Sequence, residues 1–387
     1  MPRHPHASPS IAAMPASPYS NLAGRAAASG RPVVPLHVGD TWLLPPAGSR
    51  MEDLRAADCP GLHNYAPVRG LPALLDAIVD RTRAATGEAV TPDQLLVTGG
   101  ATAGLSAVVG ALVAPGDEVL ILAPYWPLIA GIVATFSGVP VAVPVLHDDV
   151  PSPEALLEAL RARLTDRTVA VYVNTPNNPT GRILPAPALE AIAAFARDHD
   201  LWLVADEVYD AYTYGDAVHV PLRTLAPDRT FAAYSFSKTY GMAGNRAGYV
   251  VGPARPMADV AKIGVYTLYS APTASQYAAL AALRGQGDAW VADARARYAE
   301  VGAEAAARLG VPAPQGSTFL FLDASPALDD RGLAGLLGDC ADRGVLVAPG
   351  DSFGPFPHHL RLCYTSVPRE QVLEGVDVVA ALLGRSR

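Results

Sequence analysis

The chain of 387 residues is half hydrophobic and only 17% charged, so it can bury a core large enough for two or three domains, and general disorder is excluded. The formal net charge is −8 and no run of Lys or Arg occurs, which argues against sequence-independent binding of nucleic acid or of an anionic membrane surface. Three widely spaced cysteines suggest neither a disulfide framework nor a metal site, and they favour a reducing, cytoplasmic location.

The N-terminal segment, residues 1–13, is rich in Pro, Ser and Ala, and we expect a flexible tail there. It lacks the apolar stretch of a signal peptide. No run of 18 apolar residues occurs in the chain, so the sequence predicts no membrane-spanning helix.

From about residue 91 onward, short apolar runs alternate with longer helical patterns. Some runs, such as VAVYVN and LWLVAD, are apolar throughout, which is typical of strands covered on both faces. The alternation predicts an α/β fold, with a mostly parallel seven-stranded sheet between helices. The seven predicted strands are Leu95–Thr98, Glu118–Ala123, Val139–Val143, Val169–Asn174, Leu201–Asp206, Thr230–Ser235 and Ala247–Val251.

After Gln276 the pattern changes. A long helix rich in Ala and Arg is predicted over about 288–309, followed by strands within STFLFLD, VLVAP and HLRLCYT and by a final helix. Strands and helices that no longer alternate predict a smaller α+β domain. We therefore expect a large domain over 30–290 and a small domain built from 14–29 and 291–387.

The segment SFSKTYGMAGNRAGY carries the strongest chemical signal. Lys238 follows a predicted strand, at the edge of the sheet where ligands bind in such folds. An amine in a partly desolvated site can form a Schiff base with an aldehyde. Arg246, eight residues later, can pair with a phosphate through two hydrogen bonds. The alternative interpretation is an exposed lysine at the end of a strand.

Two further segments place polar residues at the same edge. In NTPNNPTG an apolar strand runs into a sharp turn of Asn, Pro and Gly. In LWLVADEVYD, Asp206 ends a buried strand, where an unpaired carboxylate needs a cationic partner, and Tyr209 follows three residues later. An ordinary turn and a helix N-cap are the alternatives for these segments.

Together, NNPTG, DEVY, SxSK with its trailing Arg, and a late RLC strand resemble the class I/II aminotransferases, pyridoxal-phosphate-dependent enzymes of fold type I, over roughly residues 14–386. The resemblance implies that Lys238 forms the internal aldimine with the cofactor and then acts as general base. The reaction implied is transfer of an amino group from an amino acid to a 2-oxo acid through pyridoxamine phosphate. The resemblance also implies a homodimer with shared active sites.

The resemblance assigns roles to further residues of this chain. Asp206 would keep the cofactor's ring nitrogen protonated, Asn178 and Tyr209 would hydrogen-bond its 3-oxygen, and Trp126 would stack on its ring. Tyr65 would reach the phosphate in the partner's site. The phosphate site would be formed by Gly100, Ala101, Thr102, Ser235, Ser237 and Arg246. The substrate site would be formed by Gly39, Asn178, Arg361, Tyr19, Trp42 and Phe353.

One departure bears on the amino donor. Many relatives have Ser, Thr or Lys where this chain has Ala101, and the lysine occurs in one acid-binding subgroup. The sequence offers no obvious second cation for a distal carboxylate, so we expect an apolar, aromatic or otherwise non-acidic donor. The carboxylate of Asp40 leaves a basic donor open, and Arg69 or Arg284 could still bind an acidic one.

Two other functional classes remain open at this point. Lyases, cyclopropane-forming synthases and oxidases of the same fold use the same motifs, because substrate orientation decides which bond breaks. Transcription regulators also contain such domains, but they carry an N-terminal winged-helix domain, and about 30 residues precede LHVGD here. The negative charge also disfavours DNA binding.

Overall fold

The structure, a computed structural model, describes Met14 and residues 22–146 and 151–385. All seven predicted strands are present; three have the predicted bounds, and no end of the other four is shifted by more than one residue. The strands are β1 (Val34–Pro35), β2 (Leu95–Thr98), β3 (Glu118–Ala123), β4 (Val139–Pro144), β5 (Thr168–Asn174), β6 (Trp202–Asp206), β7 (Thr230–Ser235), β8 (Gly248–Val251), β9 (Phe319–Asp323), β10 (Val345–Leu346), β11 (Ala348–Pro349) and β12 (His359–Cys363).

Twelve α-helices connect these strands in the described part of the chain, and none of them is long and apolar enough to cross a membrane. They are α1 (Ala23–Ala28), α2 (Pro72–Thr86), α3 (Ala101–Leu112), α4 (Leu128–Thr135), α5 (Pro153–Arg161), α6 (Ala186–Asp198), α7 (Phe236–Thr239), α8 (Ala254–Leu268), α9 (Thr273–Arg284), α10 (Gly287–Leu309), α11 (Gly332–Ala341) and α12 (Arg369–Leu382).

The seven predicted strands form one sheet in the order β2-β8-β7-β6-β5-β3-β4. β8 pairs antiparallel with both of its neighbours, and the other pairings are parallel. Alternate residues of β5 lie in different cores, with Val171 and Val173 on one face and Ala170 and Tyr172 on the other. Both faces of the sheet are therefore buried, which explains why the central strands are apolar throughout.

A second core lies among the C-terminal elements. Here β11, β12 and β9 form an antiparallel sheet, and α10, α11 and α12 pack in the same hydrophobic cluster. β1 pairs with β10, and its Val34 packs in this cluster. Residues 34–35 therefore belong to the smaller core, although the sequence predicted that the large domain begins at residue 30. A strand of two residues has no periodicity that a sequence pattern could reveal. The predicted tail, residues 1–13, lies outside the described residues.

Candidate active site

Three neighbouring parallel strands end at the same edge of the large sheet. β5 ends at Asn174, β6 at Asp206 and β7 at Ser235, and Asn174 pairs with Asp206 in register. A cavity opens at this edge. Its lining includes twelve of the predicted site residues, Gly39, Ala101, Thr102, Trp126, Asn178, Asp206, Tyr209, Ser235, Ser237, Lys238, Arg246 and Arg361.

Lys238 lies in α7, a single helical turn that begins directly after β7. Burial lowers the pKa of its amine, which favours the neutral, nucleophilic form. Its Nζ donates a hydrogen bond to the backbone oxygen of Gly39. A Cβ at Gly39 would lie 2.6 Å from the ring of Phe319, so only glycine permits this close approach of the backbone.

Asp206 is 3% exposed, and burial raises the pKa of its carboxyl to about 6. Its Oδ2 accepts a hydrogen bond of 2.5 Å from the hydroxyl of Tyr172. Its Oδ1 is also buried, and no partner for it exists among the described residues. Burial of a carboxylate oxygen without a hydrogen-bond partner is unfavourable in free energy, so we expect a bound molecule to donate a hydrogen bond to this atom.

The NNPTG turn is held by one of its own asparagines, Asn177, and by Asn174 at the end of β5. The Oδ1 of Asn177 accepts hydrogen bonds from the backbone and the hydroxyl of Thr180, and Asn174 Oδ1 accepts one from the backbone of Asn178. The side chain of Asn178 is thereby held in the cavity wall, where its Oδ1 accepts a hydrogen bond of 3.0 Å from Arg361.

Arg361, on β12, is 1% exposed although it carries a permanent charge. Its guanidinium carbon lies 4.3 Å from the ring centre of Phe319 and 4.7 Å from that of Phe353. Besides Asn178, its guanidinium donates to the backbone oxygen of His37. The aromatic contacts and hydrogen bonds orient a planar, two-point donor at the cavity.

A second cation lies at the N-terminus of α3. Gly100 precedes this helix with a φ of 85°, and a Cβ there would lie 2.4 Å from the guanidinium of Arg246. Arg246 itself adopts a left-handed φ of 54°, and its Nη1 donates to Ala243 and, at 3.4 Å, to the hydroxyl of Ser237. A helix N-terminus without a side-chain cap, next to an arginine and a hydroxyl, suits a phosphate.

Three predicted site residues lie away from the cavity. Tyr65 is 85% exposed and contacts the ring of Tyr269. Trp42 packs edge-on against Tyr298, and Phe353 is buried behind Arg361, so neither lines the cavity. Tyr19 lies outside the described residues.

Three residues that shape the site were not predicted from the sequence. Phe319 lines the cavity and contacts both Arg361 and Tyr209, but nothing in STFLFLD distinguishes it from a core residue. In the sequence, Asn174 is recognisable only as the end of a strand. Tyr172 could have been found, because a hydroxyl within a buried apolar strand requires a hydrogen-bond partner.

These features define the class of protein. The buried amine of Lys238, with its lowered pKa, can bind an aldehyde. Oδ1 of Asp206 can accept a hydrogen bond from a protonated ring nitrogen. The N-terminus of α3 at Gly100, beside Arg246, can bind a phosphate. The residues thus fit pyridoxal 5'-phosphate, on a parallel sheet with that cofactor's fold type I arrangement.

Comparisons with known proteins lead to the family. A family model described as aminotransferase class I and II matches residues 31–379. The aspartate/prephenate aminotransferase of Thermus thermophilus is 35% identical over 87% of each chain, and the arginine–pyruvate transaminase of Pseudomonas aeruginosa is 35% identical over 86% of each. A solved single mutant of Thermus thermophilus aspartate aminotransferase matches with a TM-score of 0.87 at 31% identity, over 98% of this chain and 100% of that one. The chain therefore belongs to the class I and II aminotransferases, which are pyridoxal-phosphate-dependent transferases.

Proposed function

We propose that the chain transfers the amino group of an amino acid to a 2-oxo acid, with Lys238 as the residue that binds pyridoxal phosphate covalently. The observation that carries this proposal is the convergence of three groups at one cavity. These are the amine of Lys238 with its lowered pKa, the free Oδ1 of Asp206 and the buried guanidinium of Arg361.

Bound pyridoxal phosphate supplies the electron sink that stabilises the charge left on the α-carbon of an amino acid when its proton is removed. Arg361 binds the α-carboxylate through two hydrogen bonds, and Asn178 fixes the plane of that guanidinium. Lys238 Nζ accepts the proton from the α-carbon, and its lowered pKa leaves a larger fraction of neutral amine to do so. Asp206 Oδ1 holds a proton on the cofactor's ring nitrogen.

The remaining residues hold the cofactor in place. The backbone N–H groups at the start of α3, from Ala101 and Thr102, and the guanidinium of Arg246 bind the phosphate. Ser235 and Ser237 line the same cavity and add hydroxyl donors. The full set of residues that bind the cofactor is completed by Gly100, Trp126, Asn178 and Tyr209.

Reduction of the cofactor-loaded enzyme with borohydride, followed by peptide mapping, tests the assignment of Lys238. We expect a stable cofactor adduct on the peptide that contains Lys238, and we expect Lys238→Ala to abolish turnover while it retains cofactor without a covalent bond. An adduct on Lys262 instead would refute the assignment. Lys262 is the only other lysine of the chain and is exposed on α8, so it serves as an internal control.

A homodimer is proposed from an exposed aromatic patch, formed by Tyr65, Tyr266, Leu268 and Tyr269. Tyr266 is 90% exposed and Tyr65 is 85% exposed. Monomeric soluble proteins rarely expose such clusters, which mark surfaces that contact another protein. We propose that a second copy of the chain covers this patch and that Tyr65 then reaches the phosphate in the partner's site.

The cations of the cavity support a non-acidic amino donor. Among the described residues that line it, the cations are Lys238, Arg246 and Arg361, and the roles proposed above occupy all three. Ala101 contributes an apolar side chain to the cavity wall. The carboxylate of Asp40 lies close enough to Lys238 to oppose part of the lowering of its pKa by burial. A second carboxylate on the donor would enter without a cation, which is unfavourable in a partly buried site.

A further inference from the structure

Tyr172 stands out among the residues behind the cavity. It lies on β5, is fully buried, and places its hydroxyl on Oδ2 of Asp206 at 2.5 Å. In the register of the sheet, Asn174 rather than Tyr172 is opposite Asp206. Two residues along a strand span about 6.6 Å, a distance that a tyrosine side chain bridges along the face of the sheet.

The hydrogen bond divides the two oxygens of Asp206. Oδ2 is taken by Tyr172, whereas Oδ1 is buried and without a partner among the described residues. A carboxylate held at one oxygen cannot rotate freely about its last bond, so the other oxygen keeps a fixed direction. We propose that Tyr172 is a positioning residue for the cofactor, which fixes the carboxylate of Asp206 so that Oδ1 receives the ring nitrogen. This inference rests on the proposed role of Asp206.

Electrostatics point the same way. Burial raises the pKa of Asp206 to about 6, and the largest opposing influence is the hydrogen bond from Tyr172. A hydroxyl that donates to a carboxylate stabilises the ionised form. Tyr172 therefore helps to keep the carboxylate of Asp206 ionised, so that it can hold a positively charged ring nitrogen. This effect adds to the role of Tyr172 in orienting the carboxylate.

The rival explanation is that Tyr172 only fills the core between the sheet and α3. Tyr172→Phe separates the two, because it keeps the ring and removes the hydroxyl. Tyr234→Phe is the matched control. Tyr234 is a buried tyrosine on β7 whose hydroxyl donates at 2.6 Å to Glu207, the neighbour of Asp206 in the chain, and it packs in the core on the opposite face.

Two measurements on each variant test the proposal. The dissociation constant of pyridoxal phosphate is obtained by titrating the apo-protein, and the midpoint of the absorbance change of the loaded enzyme is followed against pH. A hydrogen bond to a charged group contributes at least about one order of magnitude in an equilibrium constant. The bond exists without cofactor, and only its strengthening on binding affects affinity, so Tyr172→Phe should weaken cofactor binding severalfold, up to about tenfold. Its absorbance midpoint should rise, because a less firmly protonated ring nitrogen repels the proton on the Lys238-linked nitrogen less strongly.

Tyr234→Phe should leave both quantities within twofold of the wild type. In an Asp206→Asn background, Tyr172→Phe should cause no further loss of cofactor affinity, since its hydroxyl acts through the carboxylate. Wild-type affinity and midpoint in Tyr172→Phe, or an equal change in Tyr234→Phe, would overturn the proposal. If Tyr172→Phe does not fold, Tyr172→Met removes the same hydroxyl and is held to the same outcomes.

These titrations, combined with the borohydride experiment described above, separate this inference from the proposed function. If the proposed function fails, borohydride leaves the cofactor on a residue other than Lys238. If only the present inference fails, the adduct stays on Lys238 while the affinity of Tyr172→Phe is unchanged.

Discussion

Replacement of Arg361 by Lys keeps the positive charge but removes the planar fork of the guanidinium. In the structure, the fork makes hydrogen bonds to Asn178 and to the backbone of His37 and lies between the rings of Phe319 and Phe353. A lysine ammonium has neither the flat shape to fill this space nor the geometry to hold both oxygens of a carboxylate. We therefore expect Arg361→Lys to bind the amino donor poorly.

The magnitude follows from the contacts. One charge-assisted hydrogen bond to the donor carboxylate contributes about 1.5–3 kcal/mol, and 1.4 kcal/mol corresponds to about a factor of ten. Loss of one of the two bonds should therefore lower kcat/KM for the donor about 10- to 100-fold. The dissociation constant of pyridoxal phosphate should change little, because Arg361 is proposed to bind the substrate and not the cofactor.

Steady-state kinetics with saturating oxo acid measure the first quantity, and titration of the apo-protein measures the second. Arg223→Lys is the matched control, since Arg223 is also 1% exposed but pairs with Glu88 and the backbone of Thr230, away from the cavity. Both variants should lose stability, and only Arg361→Lys should lose donor affinity. A kcat/KM within threefold of the wild type in Arg361→Lys would refute the assigned role.

Three other outcomes are expected. Lys238→Ala and Tyr65→Ala, each nearly inactive alone, should regain activity when mixed and allowed to exchange subunits, since one hybrid site then has both residues; no recovery in proven hybrids would contradict shared sites. Burial raises the pKa of Asp206 from the ordinary 3.8 to about 6, and each pKa unit corresponds to about 1.36 kcal/mol. When Asp206 is ionised, the free energy of unfolding of the apo-protein is therefore lower by about 3 kcal/mol. Thermal unfolding of the apo-proteins should therefore show Asp206→Asn more stable than wild type above pH 6, with the advantage gone below about pH 4, whereas a constant difference would contradict the raised pKa. Leucine, phenylalanine or arginine should give a higher kcat/KM than aspartate, and a clear preference for aspartate would show that a further cation reaches the distal carboxylate.

The parts of the site that the sequence predicted are local in the chain. The edge of the sheet was predictable because buried parallel strands are apolar throughout and end in polar residues, as LWLVAD does at Asp206. Lys238 was predictable as a candidate because lysine is rarely well buried, so a lysine directly after a buried strand needs a reason. The separation of Lys238 from Arg246 is likewise set within one segment, which folds as a short helix, a turn and β8.

Contacts between distant segments could not be predicted in this way. Phe353 was expected to form part of the substrate site, but it is buried behind Arg361, and the motif in which it occurs gives no direction for its ring. Trp42 was expected in the same site and packs on Tyr298 of α10 instead. An aromatic residue is equally suited to a pocket wall and to a core, and only the tertiary arrangement decides between them.

Two adjacent carboxylates at the end of β6 show how the tertiary arrangement gives similar residues different roles. Asp206 and Glu207 follow one another and are both buried, and each accepts a hydrogen bond from a tyrosine on a flanking strand. The tyrosines lie in the cores on opposite faces of the sheet. Both oxygens of Glu207 are used within the protein, by Tyr234 and by the backbone of Leu222. Asp206 lines the cavity and keeps one oxygen without a partner among the described residues, and for this reason it is the carboxylate of the two that we propose to hold a cofactor.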